Sequence, residues 1–309
     1  MKLNHTLGET RVSRLIGMML VALSAAGFGT LPLFGRYAYA DDMDALTILF
    51  FRFSLAASLM LALLILRREH LPRGAALLRL IGMGALGYVG QAFAYLTALK
   101  YASAGLVALL LYLYPVFVAL LAALVLHEPL TGVKGLALGL ALVGTALTVG
   151  PAGGQALGTL LAVAAAAIYS VYIIVGTHVM KHVSAVQSSA VIFAAAGVTS
   201  GVLMVVNGPR LPATGAGWTA ITSIVLIATV LPVVAFLSGL ERIGPTNAAM
   251  LSTLEPVVTV LLATWWLNET LKPVTWLGGG LILIAVLLLT HSELRRTQSA
   301  VISESTPGG

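Results

Sequence analysis

Cysteine is absent from the 309-residue sequence, and charged residues are scarce. Without cysteine the chain can form no disulfide, no thiolate metal site and no cysteine nucleophile. Charged side chains make up only 9% of the residues, whereas soluble domains carry about 25%. Hydrophobic residues make up 59%, and the mean hydropathy is +1.00. Because a globule of this size cannot bury so much apolar surface, the composition excludes a soluble enzyme, a disordered protein and a nucleic-acid-binding domain.

Ten apolar stretches are each long enough to cross a bilayer. A helix needs about 20 apolar residues to span the ~30 Å hydrocarbon core. The predicted spans are 15–35, 45–66, 77–99, 103–126, 133–149, 157–177, 187–206, 218–240, 246–267 and 275–291. The runs are continuous and rich in alanine and leucine, without the alternation that marks an outer-membrane β-strand. The sequence therefore predicts an all-α integral membrane protein with ten transmembrane helices.

The few positive charges predict the orientation of these helices. With the N-terminus in the cytoplasm, twelve Lys and Arg residues fall on the inner side and four on the outer side, while Arg52 lies inside a span. An excess of positive charge marks the cytoplasmic side of membrane proteins. The first apolar run continues through Leu33, which makes it longer than the apolar region of a signal peptide. We therefore expect an uncleaved first helix and two cytoplasmic termini, and we attribute the net charge of +6 to topology.

An internal repeat relates the two halves of the chain. Leu113-Tyr-Pro-Val matches Leu254-Glu-Pro-Val, and His127-Glu-Pro-Leu matches Asn268-Glu-Thr-Leu. Both matches share one constant repeat offset, which pairs Pro115 with Pro256. Each half holds five predicted helices, and because five is odd the second half is predicted to be inverted in the bilayer. Inverted repeats are typical of secondary transporters, since two similar units in opposite orientations can expose a central site to each side in turn.

The repeat divides the chain into four parts. We predict a cytoplasmic N-terminal tail at 1–14, a first five-helix repeat at 15–150, a second, inverted five-helix repeat at 156–291, and a cytoplasmic C-terminal tail at 292–309. The C-terminal tail is polar and disorder-like in composition. No connection between the predicted spans is long enough to form a soluble domain.

Several short motifs carry a family resemblance. They are Phe28-Gly-Thr-Leu-Pro32, Leu49-Phe-Phe-Arg-Phe53, Ala98-Leu-Lys-Tyr-Ala-Ser-Ala104, and the paired Pro…Glu-x-Leu blocks at 115–130 and 256–271. With these motifs the chain resembles the drug/metabolite transporter superfamily, specifically its EamA-like branch of ten-helix bacterial permeases. The resemblance implies a 5+5 inverted fold with a central cavity in an inner (plasma) membrane. It also implies the movement of small metabolites, commonly export of amino acids or related solutes, or of sugars and drugs.

Two ionisable residues lie well inside predicted spans, where a charge costs about 2.5–3.5 kcal/mol on insertion scales. Counting about 1.5 Å per residue along a helix, Arg52 in the second span and Glu255 in the ninth fall near the midplane. Their counterparts in the other repeat are Phe193 and Tyr114, so the charges break the symmetry. We predict a substrate or coupling site here, with Glu255 as the candidate for proton coupling. The alternatives are a direct pair between the two, or Arg52 bonding carbonyls that Pro32 leaves free.

Other polar residues are predicted to line the same cavity. Asn247 and Ser252 share the polar stripe of Glu255, and Pro256 leaves the Ser252 carbonyl without its helical partner. The remaining candidates are Tyr88, Gln91, Tyr95, Tyr112, Tyr114, Tyr169 and Tyr172. Tyrosines at mid-depth are too far from the headgroups to be interfacial anchors, and their hydroxyls need internal partners. They suit a partly apolar ligand such as an amino acid or an aromatic metabolite, although ordinary core tyrosines remain the alternative.

Glu128 and Glu269 end the fourth and ninth predicted spans, and we expect each to cap the next helix or to tie its turn. Position 131 is Thr, so the H-E-x-x-H pair of a zinc protease is missing. The sequence also has no Walker motif, which excludes direct ATP-driven transport. We therefore expect no metal, no cofactor and no enzymatic activity.

Together these features predict a secondary transporter that moves small metabolites by alternating access, with efflux expected from the resemblance. Sugars, drugs and a lipid-linked substrate moved in the manner of a flippase are alternatives, and an intramembrane enzyme is less favoured. The expected partners are a small solute, the lipid bilayer and, if Glu255 couples transport, protons. Nucleic acid is excluded as a partner. The choice between proton antiport and facilitated diffusion, the substrate and the oligomeric state stay open.

Overall fold

All regular secondary structure in the part of the chain that the structure describes is helical. A computed structural model describes residues 2–125, 131–149, 156–179, 183–252 and 254–305, although some side chains within these ranges are not described. No strand occurs within these ranges. The predicted all-α class is confirmed.

Eight α-helices belong to the first half. They are α1 (Lys2–Gly29), α2 (Leu31–Ala40), α3 (Ala45–Leu66), α4 (Ala75–Gly82), α5 (Val89–Tyr101), α6 (Ala104–Leu111), α7 (Tyr114–Val125) and α8 (Gly132–Val149). The second half contains α9 (Ala156–Val179), α10 (Ala185–Asn207), α11 (Gly215–Val225), α12 (Leu231–Ser252), α13 (Leu254–Trp266) and α14 (Pro273–Ser305). One π-helical segment, Met83–Tyr88, joins α4 to α5, and a second, Leu226–Val230, joins α11 to α12.

Within the described ranges, seven stretches are long and apolar enough to cross a membrane. They are Leu15–Ala40, Ala45–Leu66, Ala75–Ala98, Ala104–Leu121, Ala156–Gly176, Val186–Asn207 and Gly215–Gly239. Three further helices are apolar but shorter, at Gly132–Gly144, Leu254–Trp266 and Pro273–Leu288. These ten stretches overlap the ten predicted spans, although the start of the ninth predicted span, 246–252, belongs to α12. The count of ten membrane-crossing helices stays a prediction.

Short polar side chains set where several helices begin. The carboxylate of Asp44 accepts a hydrogen bond from the Thr47 backbone N–H at 2.8 Å at the start of α3. Ser103 caps α6 in the same way, and Ser184 forms a reciprocal capping box with Gln187 at the start of α10. Such caps satisfy N–H groups that have no intrahelical partner.

Several spans that the sequence predicted as continuous are interrupted in the structure. The first is divided at Thr30, whose hydroxyl donates to the Gly27 carbonyl at 2.6 Å just before Pro32. The fourth is divided by the turn at 112–113, between α6 and α7. The π-helical segments interrupt the third and eighth spans. Hydropathy could not reveal these breaks, because they change backbone hydrogen bonding while leaving the apolar composition intact.

Two predicted irregular segments are helical instead. The predicted connection at 241–245 lies inside α12, even though Pro245 cannot donate a backbone hydrogen bond. The polar tail expected from residue 292 continues α14 as far as Ser305. Residues 292–305 contain neither glycine nor proline, so no strong helix breaker precedes Pro307.

Helix packing follows the internal repeat. The helix pairs with the most extensive packing are α1 with α12, α5 with α9, α3 with α10, and α8 with α14. A Cβ built on Gly17 would lie 2.6 Å from the side chain of Ile243, and one built on Gly158 would lie 2.6 Å from the Cβ of Ala102. The repeat offset relates these two contacts to each other, because it pairs Gly17 with Gly158 and Ala102 with Ile243. The same close approach therefore occurs twice. The first half supplies the glycine in one contact, and the second half supplies it in the other.

Gly84 offers a test of the packing between the first π-helical segment and α10. A Cβ at this position would lie 2.3 Å from the Ile192 carbonyl oxygen, whereas a Cβ at Gly82 would meet nothing within 4 Å. Gly84→Ala is expected to destabilise the protein by about 1–3 kcal/mol, because helix backbone cannot swing aside. Gly82→Ala is the matched control and should be neutral or slightly stabilising. Equal melting temperatures for the two variants in detergent would contradict this packing.

Candidate functional site

A cavity of about 360 Å³ lies between the two halves, next to the helix interruption at 112–113. Nine of the eleven predicted site residues line it. They are Arg52, Tyr88, Gln91, Tyr95, Tyr112, Tyr114, Tyr169, Ser252 and Glu255. Arg52 comes from α3 and Glu255 from the first turn of α13, so each half supplies one of the two ionisable groups.

Of the other two predicted residues, Tyr172 does not line the described cavity. The Tyr172 ring stacks on Tyr169, with centroids 5.8 Å apart, and also contacts Tyr88 at 5.7 Å. Tyr172 therefore packs against two of the lining tyrosines without lining the cavity itself. The side chain of Asn247 lies outside the described part of the structure, as does Glu128.

Five apolar lining residues were missed by the sequence analysis. They are Phe28, Leu31, Ala92, Leu111 and Phe236. Their helices carry many similar side chains that face lipid or the protein core. Composition alone therefore gave no signal that distinguishes them, although Phe28 belongs to the first family-like motif.

Arg52 is held by a threonine from the other half. Its Nε donates to the hydroxyl of Thr229 at 3.0 Å, and its guanidinium lies 5.5 Å from the ring centroid of Phe53. Only 6% of Arg52 is exposed. The side chains of Arg52 and Glu255 are both described, and no nitrogen of Arg52 lies close enough to an oxygen of Glu255 to form an ion pair. The structure thus differs from both alternatives, the direct pair and the bond to backbone carbonyls.

Glu255 is bound through Tyr112. The Tyr112 hydroxyl lies 3.0 Å from Oε2 of Glu255 and 2.6 Å from the Ser252 carbonyl oxygen. This carbonyl is the one that Pro256 was expected to leave without a helical partner, and the tyrosine supplies the donor. A phenol can donate to a carboxylate, or accept from a protonated carboxyl while donating to the carbonyl. Tyr112 can therefore bind Glu255 in either protonation state.

Three tyrosines that line the cavity, Tyr112, Tyr114 and Tyr169, form a wall of contacting rings. Tyr112 contacts Tyr114 with ring centroids 5.8 Å apart, and Tyr114 contacts Tyr169 at 4.9 Å. The contact of Tyr172 with Tyr88 extends this chain, and Tyr88 lies 5.1 Å from Phe53 beneath Arg52. Such a wall presents ring faces and hydroxyl groups to a ligand of mixed polarity.

Glu269 joins the two halves at one end of the bundle. Its carboxylate accepts hydrogen bonds from the backbone N–H groups of Ala104 at 2.9 Å and Gly105 at 3.2 Å. Arg36 approaches the same carboxylate at 3.4 Å. The expectation that Glu269 caps the following helix or ties its own turn is wrong. It caps α6 in the opposite repeat, where the positive end of the helix dipole favours a carboxylate.

Replacing Glu269 tests this contact between the halves. Glu269→Ala leaves two helix N–H groups without their acceptor, and it leaves Arg36 with the Ala102 carbonyl as its remaining acceptor. Because a hydrogen bond to a charged group contributes about 1.5–3 kcal/mol, we expect a loss of roughly 2–4 kcal/mol after allowing for partial exposure. Glu269→Gln keeps one acceptor oxygen and should lie between Ala and wild type. Melting temperatures in detergent measure the series, and a wild-type value for Glu269→Ala would contradict the capping role.

Further contacts between the halves occur in loops. Asp41 accepts hydrogen bonds from the Ala213 N–H at 2.8 Å and from the Thr214 hydroxyl at 2.6 Å. The Thr214 hydroxyl lowers the pKa of Asp41, which favours the ionised acceptor. In a second loop pair, the Ser184 hydroxyl donates to Glu69. Both pairs join the second loop of one half to the first loop of the other.

Comparison with known proteins decides the family. Residues 15–150 and 156–291 each match the EamA-like transporter family. The chain belongs to this family. The resemblance predicted from the short motifs is thereby confirmed, and the chain is a membrane transporter by family.

Curated relatives are transporters as well. The chain is 28% identical over 250 residues to the uncharacterized inner membrane transporter YedA of Escherichia coli K12, covering 77% of this chain and 79% of YedA. It is 25% identical over 225 residues to an uncharacterized transporter of Synechocystis, covering 69% and 67% of the two chains. One crystal structure matches with a TM-score of 0.63 at 20% identity, covering 92% of this chain and 98% of that chain. This last likeness shows the fold alone.

Proposed function

We propose that this EamA-like transporter moves a small zwitterionic metabolite, an amino acid or a related solute, by alternating access and in the direction of export. The observation that carries the proposal is the cavity itself. It is lined by the cation of Arg52 and the carboxyl of Glu255, which come from opposite halves, and by tyrosine rings. A cation and a carboxyl group in one cavity complement a zwitterion, and the rings accommodate an apolar side chain.

An inverted arrangement of two five-helix repeats underlies the proposed mechanism. The paired contacts of Gly17 and Gly158 support it, because each half uses the same position to approach the other. The π-helical segments support it too, since Met83–Tyr88 and Leu226–Val230 overlap when the halves are aligned at the repeat offset. We propose repeat boundaries at 15–150 and 156–291, with both tails in the cytoplasm of a cell that holds the chain in its inner membrane.

Contacts between the halves at both ends of the bundle are consistent with alternating access. In the proposed orientation, Asp41 and Glu269 lie on the outer side, and the contact of Glu69 with Ser184 lies on the inner side. A carrier must break the contacts at one end while it keeps those at the other. Short polar contacts are suited to this task, because water replaces their hydrogen bonds when they separate.

Proton coupling through Glu255 completes the proposal. A carboxyl that binds a proton in one conformation and releases it in the other links solute flux to a proton gradient. The position of Glu255 inside the cavity supports the assignment, because a proton and a substrate ammonium would compete for the same oxygens. Facilitated diffusion of the solute is the outcome expected if Glu255 does not exchange its proton.

A substrate panel in proteoliposomes tests the proposal. Purified protein is reconstituted, and uptake of radiolabelled amino acids, amines and sugars is measured with and without an imposed pH gradient. Amino acid uptake above that of protein-free liposomes, enhanced by the gradient, is the expected result. Uptake restricted to sugars would contradict a zwitterionic substrate, and translocation of a fluorescent lipid would favour a flippase. Absence of flux for every solute would contradict the transporter.

A further inference from the structure

Thr229 fixes one edge of the Arg52 guanidinium. Its hydroxyl accepts from Nε of Arg52 at 3.0 Å and donates to the Ile224 carbonyl, five residues earlier, at 2.9 Å. Both bonds are compatible with a single hydroxyl proton, because the threonine donates once and accepts once. Thr229 is only 1% exposed, so packing leaves its side chain little freedom to turn away.

The π-helical segment makes this geometry possible. Thr229 lies within Leu226–Val230, between α11 and α12. A π-helical turn contains an extra residue and shifts side-chain directions relative to an α-helix, and such turns recur at functional sites. Here the shift places the hydroxyl against α3, where Arg52 enters the cavity.

The other edge of the guanidinium is available to a ligand. Arg52 lines the cavity, and within the described part of the chain its two terminal nitrogens have no hydrogen-bond partner. A guanidinium offers donors in a fixed planar fork that matches a carboxylate. With Nε held by Thr229, the fork keeps one orientation toward the cavity.

The internal repeat places different residues at the two positions that correspond to Arg52 and Thr229. At the repeat offset, Arg52 corresponds to Phe193 and Thr229 to Tyr88. Phe193 and Tyr88 also contact each other, with ring centroids 5.8 Å apart. One pair of positions thus contains a cation bound by a hydroxyl, and the pair related to it by the repeat contains two aromatic rings. An arginine that served only to join helices would not need the threonine to direct its free edge into the cavity.

We propose that Thr229 is a positioning residue that holds Arg52 for the carboxylate of the transported solute, so that substrates of this carrier carry a carboxylate group. The inference rests on the proposed transport function and deepens it by naming the residues that recognise the carboxylate of the solute. It assigns recognition to one edge of Arg52, while Glu255 and the tyrosine wall receive the rest of the solute.

The test compares amino acids with their amides, which lack the carboxylate. Uptake of each standard amino acid and of its amide is measured in proteoliposomes with the full-length wild-type protein, Thr229→Val and Thr229→Ser. We expect wild type to favour the acid over the amide. Thr229→Val should raise the KM for the amino acid about tenfold, with little change in kcat or in the KM for the amide. Thr229→Ser should restore the KM to within about twofold, because it keeps the hydroxyl.

A second threonine provides the matched control. Within the described residues, the Thr264 hydroxyl bonds its own helix alone, at the Val260 carbonyl, so Thr264→Val should leave both KM values unchanged. Equal losses for acids and amides in Thr229→Val, or no loss, would overturn the positioning role. Equal transport of acids and amides by wild type would overturn the inference that substrates carry a carboxylate, while the proposed transport function would stand. Absence of flux for every solute would instead contradict the proposed function.

Discussion

Glu255→Gln is expected to abolish solute flux driven by a pH gradient, reducing it to the level of protein-free liposomes, while the protein stays folded. Glutamine has nearly the same shape and can still accept the hydrogen bond from Tyr112, so the packing is preserved. It cannot bind or release a proton. If Glu255 carries the coupled proton, the gradient then has no group on which to act.

Counterflow separates coupling from transport in this experiment. Exchange of labelled for unlabelled amino acid requires only that the cavity alternate, so Glu255→Gln should retain part of it. Asp42→Asn is the matched control, because Asp42 lies exposed in the loop between α2 and α3, away from the cavity. This variant should keep its response to the gradient. A Glu255→Gln protein with wild-type coupling would remove Glu255 from the mechanism.

Arg52→Leu is expected to weaken substrate binding more than any other single change in the cavity. Truncating one partner of a buried, hydrogen-bonded charge pair costs about 2–5 kcal/mol, or roughly 30-fold to 4000-fold in affinity. The folded protein should tolerate the change, because Thr229 keeps its bond to the Ile224 carbonyl and leucine fills an apolar volume. Substrate titrations of purified protein and melting temperatures measure the two effects.

Arg52→Lys distinguishes the planar fork from simple positive charge. Lysine keeps the charge but cannot bond Thr229 and a carboxylate in one fixed plane. We expect affinity between those of wild type and Arg52→Leu. If Arg52→Leu changed neither affinity nor melting temperature, Arg52 would have neither a binding role nor a structural one.

Much of the architecture was predictable because hydropathy is a local property. Ten apolar stretches, their repeat at one offset and the two ionisable groups within spans are all visible in the sequence. Nine of the eleven predicted site residues meet at one cavity. They do so because polar side chains in an apolar span must face the protein interior or a water-filled space.

Predictions about partners succeeded less often. Glu269 was expected to act on its own turn, yet it caps α6 in the opposite half of the chain. Tyr172 shares a helix face with Tyr169 and contacts its ring, but it does not line the cavity. Periodicity gives the face of a helix but not the neighbour that occupies it, since the neighbour depends on how whole helices pack.

The sequence by itself determined that this chain lies in a membrane, that it consists of two related halves, and that Arg52 and Glu255 are its exceptional residues. These properties follow from composition and spacing, because burying charge in lipid costs free energy wherever the chain folds. Only the tertiary structure decided that Arg52 bonds Thr229, in the other half of the chain, and not Glu255. That choice depends on a π-helical turn and on contact between the halves, which no local pattern specifies.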